Sequence, residues 1–190
     1  MYHIARLTAA VIAMLATPLV AQSGDNPFAN PAKPDTAAQA AKCQEGGKAS
    51  FGRYLGDYTF QDSQITADGS WTQGQGGTWN FRCLGDGAAI VDMFHPAAGG
   101  YGMTVRMYDA AAEQWDVVFT GEGSEAMSHL TATERDDGSI EMHYQKPDFG
   151  HLRRITFTPP TDEGFDWVMA ISQDEGATWM DVYKMTVTAQ

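Results

Sequence analysis

Basic side chains are scarce in this sequence: 12 Lys and Arg stand against 24 Asp and Glu, a formal charge of -12. A chain this acidic has little with which to displace counterions from phosphates, which argues against nucleic acid as a partner. The same deficit argues against an anionic membrane surface. Charged residues of both signs amount to only 19%, beside 43% hydrophobic residues, which is too apolar for a disordered chain. Cysteine is limited to two residues, and they form no C-x-x-C pair, so thiol redox chemistry and a zinc knuckle lack support. No G-x-S-x-G elbow is present, since Gly121-Glu-Gly-Ser124 has neither the spacing nor a strand-to-helix setting. Gly74-Gln-Gly-Gly77 is glycine-rich like a phosphate loop, but it runs into the strand-like Thr78-Trp79-Asn80-Phe81. Without a helix N-terminus behind it there is no anion site, and it reads as a hairpin or lid. Catalytic residues are therefore unassigned, and no metal or cofactor is expected.

What is present begins with an export signal over residues 1–21. Arg6 precedes an uncharged run over residues 7–21, shorter than the roughly 20 apolar residues that a membrane span needs. Ala21 and Ser23 suit cleavage after either position, and no cysteine follows for acylation. Losing Arg6 leaves 11 basic and 24 acidic residues, hence -13 in the mature chain. The expectation is a periplasmic or secreted protein with no stable membrane insertion after processing. In an oxidising compartment, the even pair Cys43 and Cys83 suggests a disulfide. Such a link closes a loop of 40 residues, worth about 4 kcal/mol at most.

Residues 22–47 read as a proline-marked linker and a short alanine-rich helix that Thr36 caps, and residues 48–190 as one domain. Phe51, Tyr54 and Leu55 share one side of a further turn. Beyond them, apolar and β-branched runs begin near Tyr58, Thr78, Ala88, Tyr101, Gln114, Met127, Ser139, Leu152, Phe165 and Thr178. From Ala88 the intervals are 12 or 13 residues, punctuated by turns such as Asp136-Asp137-Gly138 and Asp174-Glu175-Gly176. A succession of hairpins without crossover helices makes an antiparallel up-and-down meander, and closing it removes both sheet edges. The expected fold is all-β, a closed barrel of about 8–10 strands with a short N-terminal helix. A β-sandwich is the alternative.

Ser172-Gln-Asp174-Glu-Gly176-Ala-Thr178-Trp179 matches the Asp-box pattern S-x-D-x-G-x-T-W at every specified position. Its residues all serve a turn: Asp174 accepts backbone N–H groups, Gly176 supplies a positive φ, and Trp179 packs beneath. The chain also resembles bacterial calycin-like proteins of the DUF1579 (lipocalin-like) type. The resemblance lies in Phe51-Gly-Arg-Tyr-Leu-Gly-Asp-Tyr58, in Met107-Tyr108-Asp109 followed by Trp115, and in Phe165-Asp-Trp167 with the Ser172–Trp179 turn. It departs at Tyr58, Ala110 and Glu175, where that family has Trp, Pro and Gly. The resemblance implies an antiparallel calycin barrel with a small-molecule cavity, and it brings no established activity or catalytic residues.

Eight of the ten methionines lie beyond Met1 and Met14 of the signal, and their adaptable side chains suit either core filling or an irregular apolar ligand. Two alternating runs supply candidates for a cavity wall. Tyr101, Met103, Val105 and Met107 share one face, while Thr104 and Arg106 take the other. Phe165, Trp167, Met169 and Ile171 also share a face. The expected partner is a small, largely apolar molecule, with Met103, Trp167, Met169, Arg106, Arg154 and His129 as ligand contacts. An enzyme using Arg106, Arg154, His129 and Asp92 is one alternative, and an envelope-associated interaction module is another. Glu141 and His143 lie on one strand face, with Ile140, Met142 and Tyr144 on the other.

Overall fold

Antiparallel strands occupy most of the chain after Gly56. The structure is a computed structural model that describes residues 34–146 and 150–190. The expected signal over residues 1–21 and the first part of the linker lie outside the described residues. Among the described residues two short α-helices come first, α1 (Ala37–Lys42) and α2 (Ala49–Gly52). The strands follow: β1 (Gly56–Ile65), β2 (Trp71–Gln73), β3 (Gly77–Leu84), β4 (Ala89–Pro96), β5 (Gly102–Asp109) and β6 (Gln114–Gly121). Then come β7 (Ser128–Glu134), β8 (Ile140–Tyr144), β9 (Leu152–Phe157), β10 (Gly164–Ser172) and β11 (Met180–Ala189). All pairings are antiparallel; β3 to β11 pair in succession, β1 pairs with both β3 and β11, and these ten strands close a barrel with β2 appended to β1. The closing seam runs from Tyr58 opposite Ala189 to Gln64 opposite Tyr183. Closure satisfies the edge hydrogen bonds that a sandwich would leave open.

The extra strand β2 explains the glycine-rich segment. It pairs with the far end of β1, Ser63 opposite Gln73, whereas β3 pairs with the near end, Phe60 opposite Gly77. Residues 74–76 bridge the gap between β2 and β3, and Gly76 has a φ of +69°. Its N–H donates to Asp62 Oδ1 at 2.9 Å. A side chain at Gly74 would strike the Asp62 carboxylate, and one at Gly76 the Phe60 carbonyl. These glycines let the backbone close over an inward carboxylate.

The helices shut one end of the barrel. Thr36 caps α1, accepting from the Gln39 N–H at 3.2 Å. The Cys43–Cys83 disulfide fastens the end of α1 to β3, and the Gln39 amide donates to the Cys83 carbonyl at 2.7 Å. From there α2 inserts Phe51, followed by Tyr54, into the barrel end, both fully buried. Phe51 meets the edges of Trp115 and Phe157 at 5.2 and 5.5 Å between centroids, and Tyr54 meets Phe165 at 5.0 Å. The polar ends of this plug are paired: Trp115 Nε1 donates to Ser50 Oγ at 2.8 Å, and the Tyr54 hydroxyl to the Thr158 carbonyl at 2.7 Å. The lower barrel is thus a solid aromatic core. Among the described residues no helix is long and apolar enough to cross a membrane.

Replacing both cysteines (C43S/C83S) should lower unfolding stability by up to about 4 kcal/mol through the freed loop. Chemical denaturation of the oxidised wild type against the double variant measures it, and an unchanged midpoint would show that the packed plug alone holds the N-terminal segment.

Candidate functional site

Above the plug the barrel is hollow. A cavity of about 480 Å³ opens there, and every strand of the closed barrel contributes to its wall. Strand alternation decides which side chains reach it. On β10 the inward positions are Phe165, Trp167, Met169 and Ile171, and Trp167 and Met169 line the cavity. On β8 they are Ile140, Met142 and Tyr144, which leaves Glu141 and His143 hydrogen-bonded to each other at 2.7 Å outside. The register slips between Met169 and Ala170 where β10 meets β11. Val182 falls in that slip, and both it and its neighbour Tyr183 line the cavity.

The floor is polar. Asp92 on β4 and Arg106 on β5 form an ion pair between Oδ2 and Nη1, and each side chain is 1% exposed. Trp79 Nε1 donates to the other Asp92 oxygen at 2.7 Å. The Arg106 guanidinium lies over the ring of Phe51 at 4.7 Å and of Phe81 at 5.3 Å, so the plug carries the floor. Arg106 Nε is buried without a hydrogen-bond partner.

The mouth lies at the opposite end from α2. Tyr183 donates its hydroxyl to Asp62 Oδ2 at 2.8 Å, tying β11 to the glycine segment. Burial, then the bond to Asp62, pushes the Tyr183 pKa upward, so the hydroxyl stays protonated and donating. A second, open hollow of about 760 Å³ adjoins the mouth beneath the β6–β7 loop and shares Phe119, Tyr144 and Arg153 with the cavity. His129 and the exposed Met127 line this vestibule. The turn from Ser172 to Trp179 also stands at the rim. Thr178 donates its N–H to Asp174 Oδ1 at 2.8 Å and its hydroxyl to Oδ2 at 2.6 Å. Gly176 donates its N–H to Ser172 Oγ at 2.8 Å. Glu175 and Gly176 both take positive φ, 57° and 94°, which accounts for glycine being suited to either position.

The structure brings together only part of the expected ligand set. Trp167, Met169 and Arg106 line the cavity. Met103 does not: on β5 the inward positions are Gly102, Thr104, Arg106 and Tyr108, so Met103 belongs to the outer wall. Met103 and Arg106 are an odd number of residues apart and could never have shared a face. Arg154 is likewise on the outer wall, over the Trp179 ring at 4.4 Å and 3.7 Å from Glu141 Oε2. Its neighbour Arg153 faces the cavity, because Ile155 and Phe157 set the inward parity of β9. His129 is exposed, its neighbour Leu130 being the inward residue. Gln64, Thr104, Arg153 and Tyr183 also line the cavity and were not among the expected contacts, and Asp62 holds Tyr183 at the mouth. A consistent parity carried from Phe157 along β9 would have found Arg153.

No family model and no curated protein matches the chain. Solved structures do. The S-type phycobiliprotein lyase CPES from Guillardia theta superposes with a TM-score of 0.54 at 9% identity, covering 80% of this chain and 97% of that one. The fold is a calycin-like barrel. The protein Rv2717c from M. tuberculosis agrees, with a TM-score of 0.51 at 10% identity over 76% of this chain and 97% of that one. Identities this low establish a shared barrel and nothing about the chemistry inside it.

Two outcomes follow from the geometry. Truncating one partner of the floor pair, as in R106M, strands a buried carboxylate and should cost about 3–5 kcal/mol, whereas D92N/R106M removes both charges and should recover most of that loss. Denaturant melts of the three proteins check this; equal stability of the single and double variants would contradict it. At the rim, the bonds from Thr178 and Ser172 lower the Asp174 pKa from 3.8 to about 2. A depressed carboxyl stabilises the fold above its unfolded pKa and loses that contribution as pH falls through its folded value. Carboxyl NMR should therefore place the Asp174 titration at about 2 in the wild type and nearer 3.8 in T178V.

Proposed function

We propose that this chain is an exported binding protein that carries a small, largely apolar molecule in the upper half of its barrel. The observation that carries the reading is the contrast within one barrel, solid below the Asp92–Arg106 pair and hollow above it. A volume of about 480 Å³ suits a compact organic ligand. Met142, Met169 and Met185 share the wall with Trp79, Phe94 and Trp167, an adaptable and polarizable lining. Trp167, Met169 and Arg106 are assigned as ligand contacts. Met103, Arg154 and His129 are not retained, since they lie outside the cavity.

Periplasmic or secreted residence is part of the proposal. It rests on the uncharged run after Arg6 and on the Cys43–Cys83 disulfide, which belongs to an oxidising compartment. Membership of the DUF1579-type calycin-like group is proposed on the Phe51–Tyr58, Tyr108–Trp115 and Phe165–Trp179 elements. An enzyme on this scaffold is the second reading, favoured by Asp92 and Arg106 both pointing into the cavity. Their bond to each other leaves neither free as a general acid or base, so binding is preferred.

Titration with the neutral solvatochromic dye Nile red tests the proposal. The dye should bind saturably, with blue-shifted emission. M169W should weaken it about tenfold or more by filling the cavity, while M103W on the outer wall should leave it unchanged. Dye binding that ignores M169W, or no binding, would contradict the proposal.

A further inference from the structure

We infer that the cavity is built for a ligand whose inner end is a neutral oxygen acceptor, a ketone, ester or amide carbonyl, received by Arg106. The inference rests on the binding function proposed above and adds the chemistry of the buried end. Three observations carry it. First, Arg106 is 1% exposed yet lines the cavity, and its Nε has no hydrogen-bond partner. A buried N–H left unpaired is costly, and a bound acceptor removes that cost. Secondly, the guanidinium is held in one orientation. Phe51 and Phe81 hold its plane from the plug side and Asp92 holds Nη1, so its remaining donors are fixed in place.

Thirdly, the charge at the floor is already balanced. Asp92 neutralises Arg106, and the second Asp92 oxygen is taken by Trp79 Nε1 at 2.7 Å. A ligand carboxylate placed here would add a buried negative charge with no cation of its own at the floor. A carbonyl oxygen meets the spare donor without that charge. Thr104 lies opposite Asp92 on the neighbouring strand, nearly buried and facing the same cavity, and its hydroxyl supplies a second polar contact. Above this end the ligand meets Met142, Trp167 and Met169, which ask only for apolar surface.

Three probes of nearly one shape separate the possibilities: 2-acetylnaphthalene, its hydrocarbon isostere 2-isopropenylnaphthalene, and 2-naphthoate. Calorimetric titration of the full mature protein should give the ketone the lowest Kd, about tenfold or more below the hydrocarbon, with 2-naphthoate weaker than the ketone. In D92N/R106M the advantage of ketone over hydrocarbon should vanish. Should that variant not fold, the carbonyl stretch of the ketone bound to the wild type still decides, because hydrogen bonding to Arg106 shifts it to lower frequency than in hexane. Equal affinity for ketone and hydrocarbon, an unshifted band, or tightest binding of 2-naphthoate would overturn the inference and leave the apolar cavity standing. Failure of all three probes to bind would overturn both.

Discussion

The ion pair between Arg106 and Asp92 divides this barrel in two. Beneath it, Phe51 and Tyr54 enter from α2 and fill the lower end against Trp115, Phe157 and Phe165. Above it the walls stand apart. Arg106 belongs to both halves, since its guanidinium rests over Phe51 while the residue also lines the cavity. Buried charge is tolerated when paired and hydrogen-bonded, and here Arg106 pairs with Asp92, whose second oxygen accepts from the Trp79 indole, while Arg106 Nε stays without a partner. The plug also explains the disulfide. Four residues of α2 cannot anchor themselves, and the Cys43–Cys83 bond ties the preceding segment to β3 so that Phe51 arrives at a fixed place.

Much of the fold was legible because it depends on a period. Turn signals recurring every 12 or 13 residues set the hairpins, and the observed strands start within two residues of the expected positions at Thr78, Ala88, Tyr101, Gln114, Met127, Ser139, Leu152, Phe165 and Thr178. The disulfide was legible as an even pair of cysteines, Cys43 and Cys83. What no period reports is which face turns inward. On β10 the apolar face is the inner one, and Trp167 and Met169 line the cavity. On β5 the more apolar face is the outer one: Met107 is exposed, and Arg106 is buried. The inward charge on β5 is stabilised by Asp92, a residue on another strand, and single-strand patterning contains no record of it.

The short strand β2 was missed for a related reason. Trp71-Thr-Gln73 is too brief to alternate, and its pairing with β1 depends on the gap over residues 74–76 and on Asp62 reaching across it. The rim was read better than the mouth. The turn from Ser172 to Trp179 is held by bonds within its own residues, so it could be understood locally, whereas the Tyr183–Asp62 bond joins residues 121 positions apart. Similarity to the phycobiliprotein lyase and to Rv2717c extends the barrel comparison across most of the chain, but at 9% and 10% identity it leaves the ligand to be argued from these side chains.

Native mass spectrometry of the protein purified from its own host tests the central claim most directly. A hollow upper barrel with a carrier role predicts a one-to-one adduct of a small organic molecule, released by mild collisional activation and absent from M169W prepared in parallel. Only the bare mass of the disulfide-bonded protein, in both proteins and under the gentlest conditions, would contradict it.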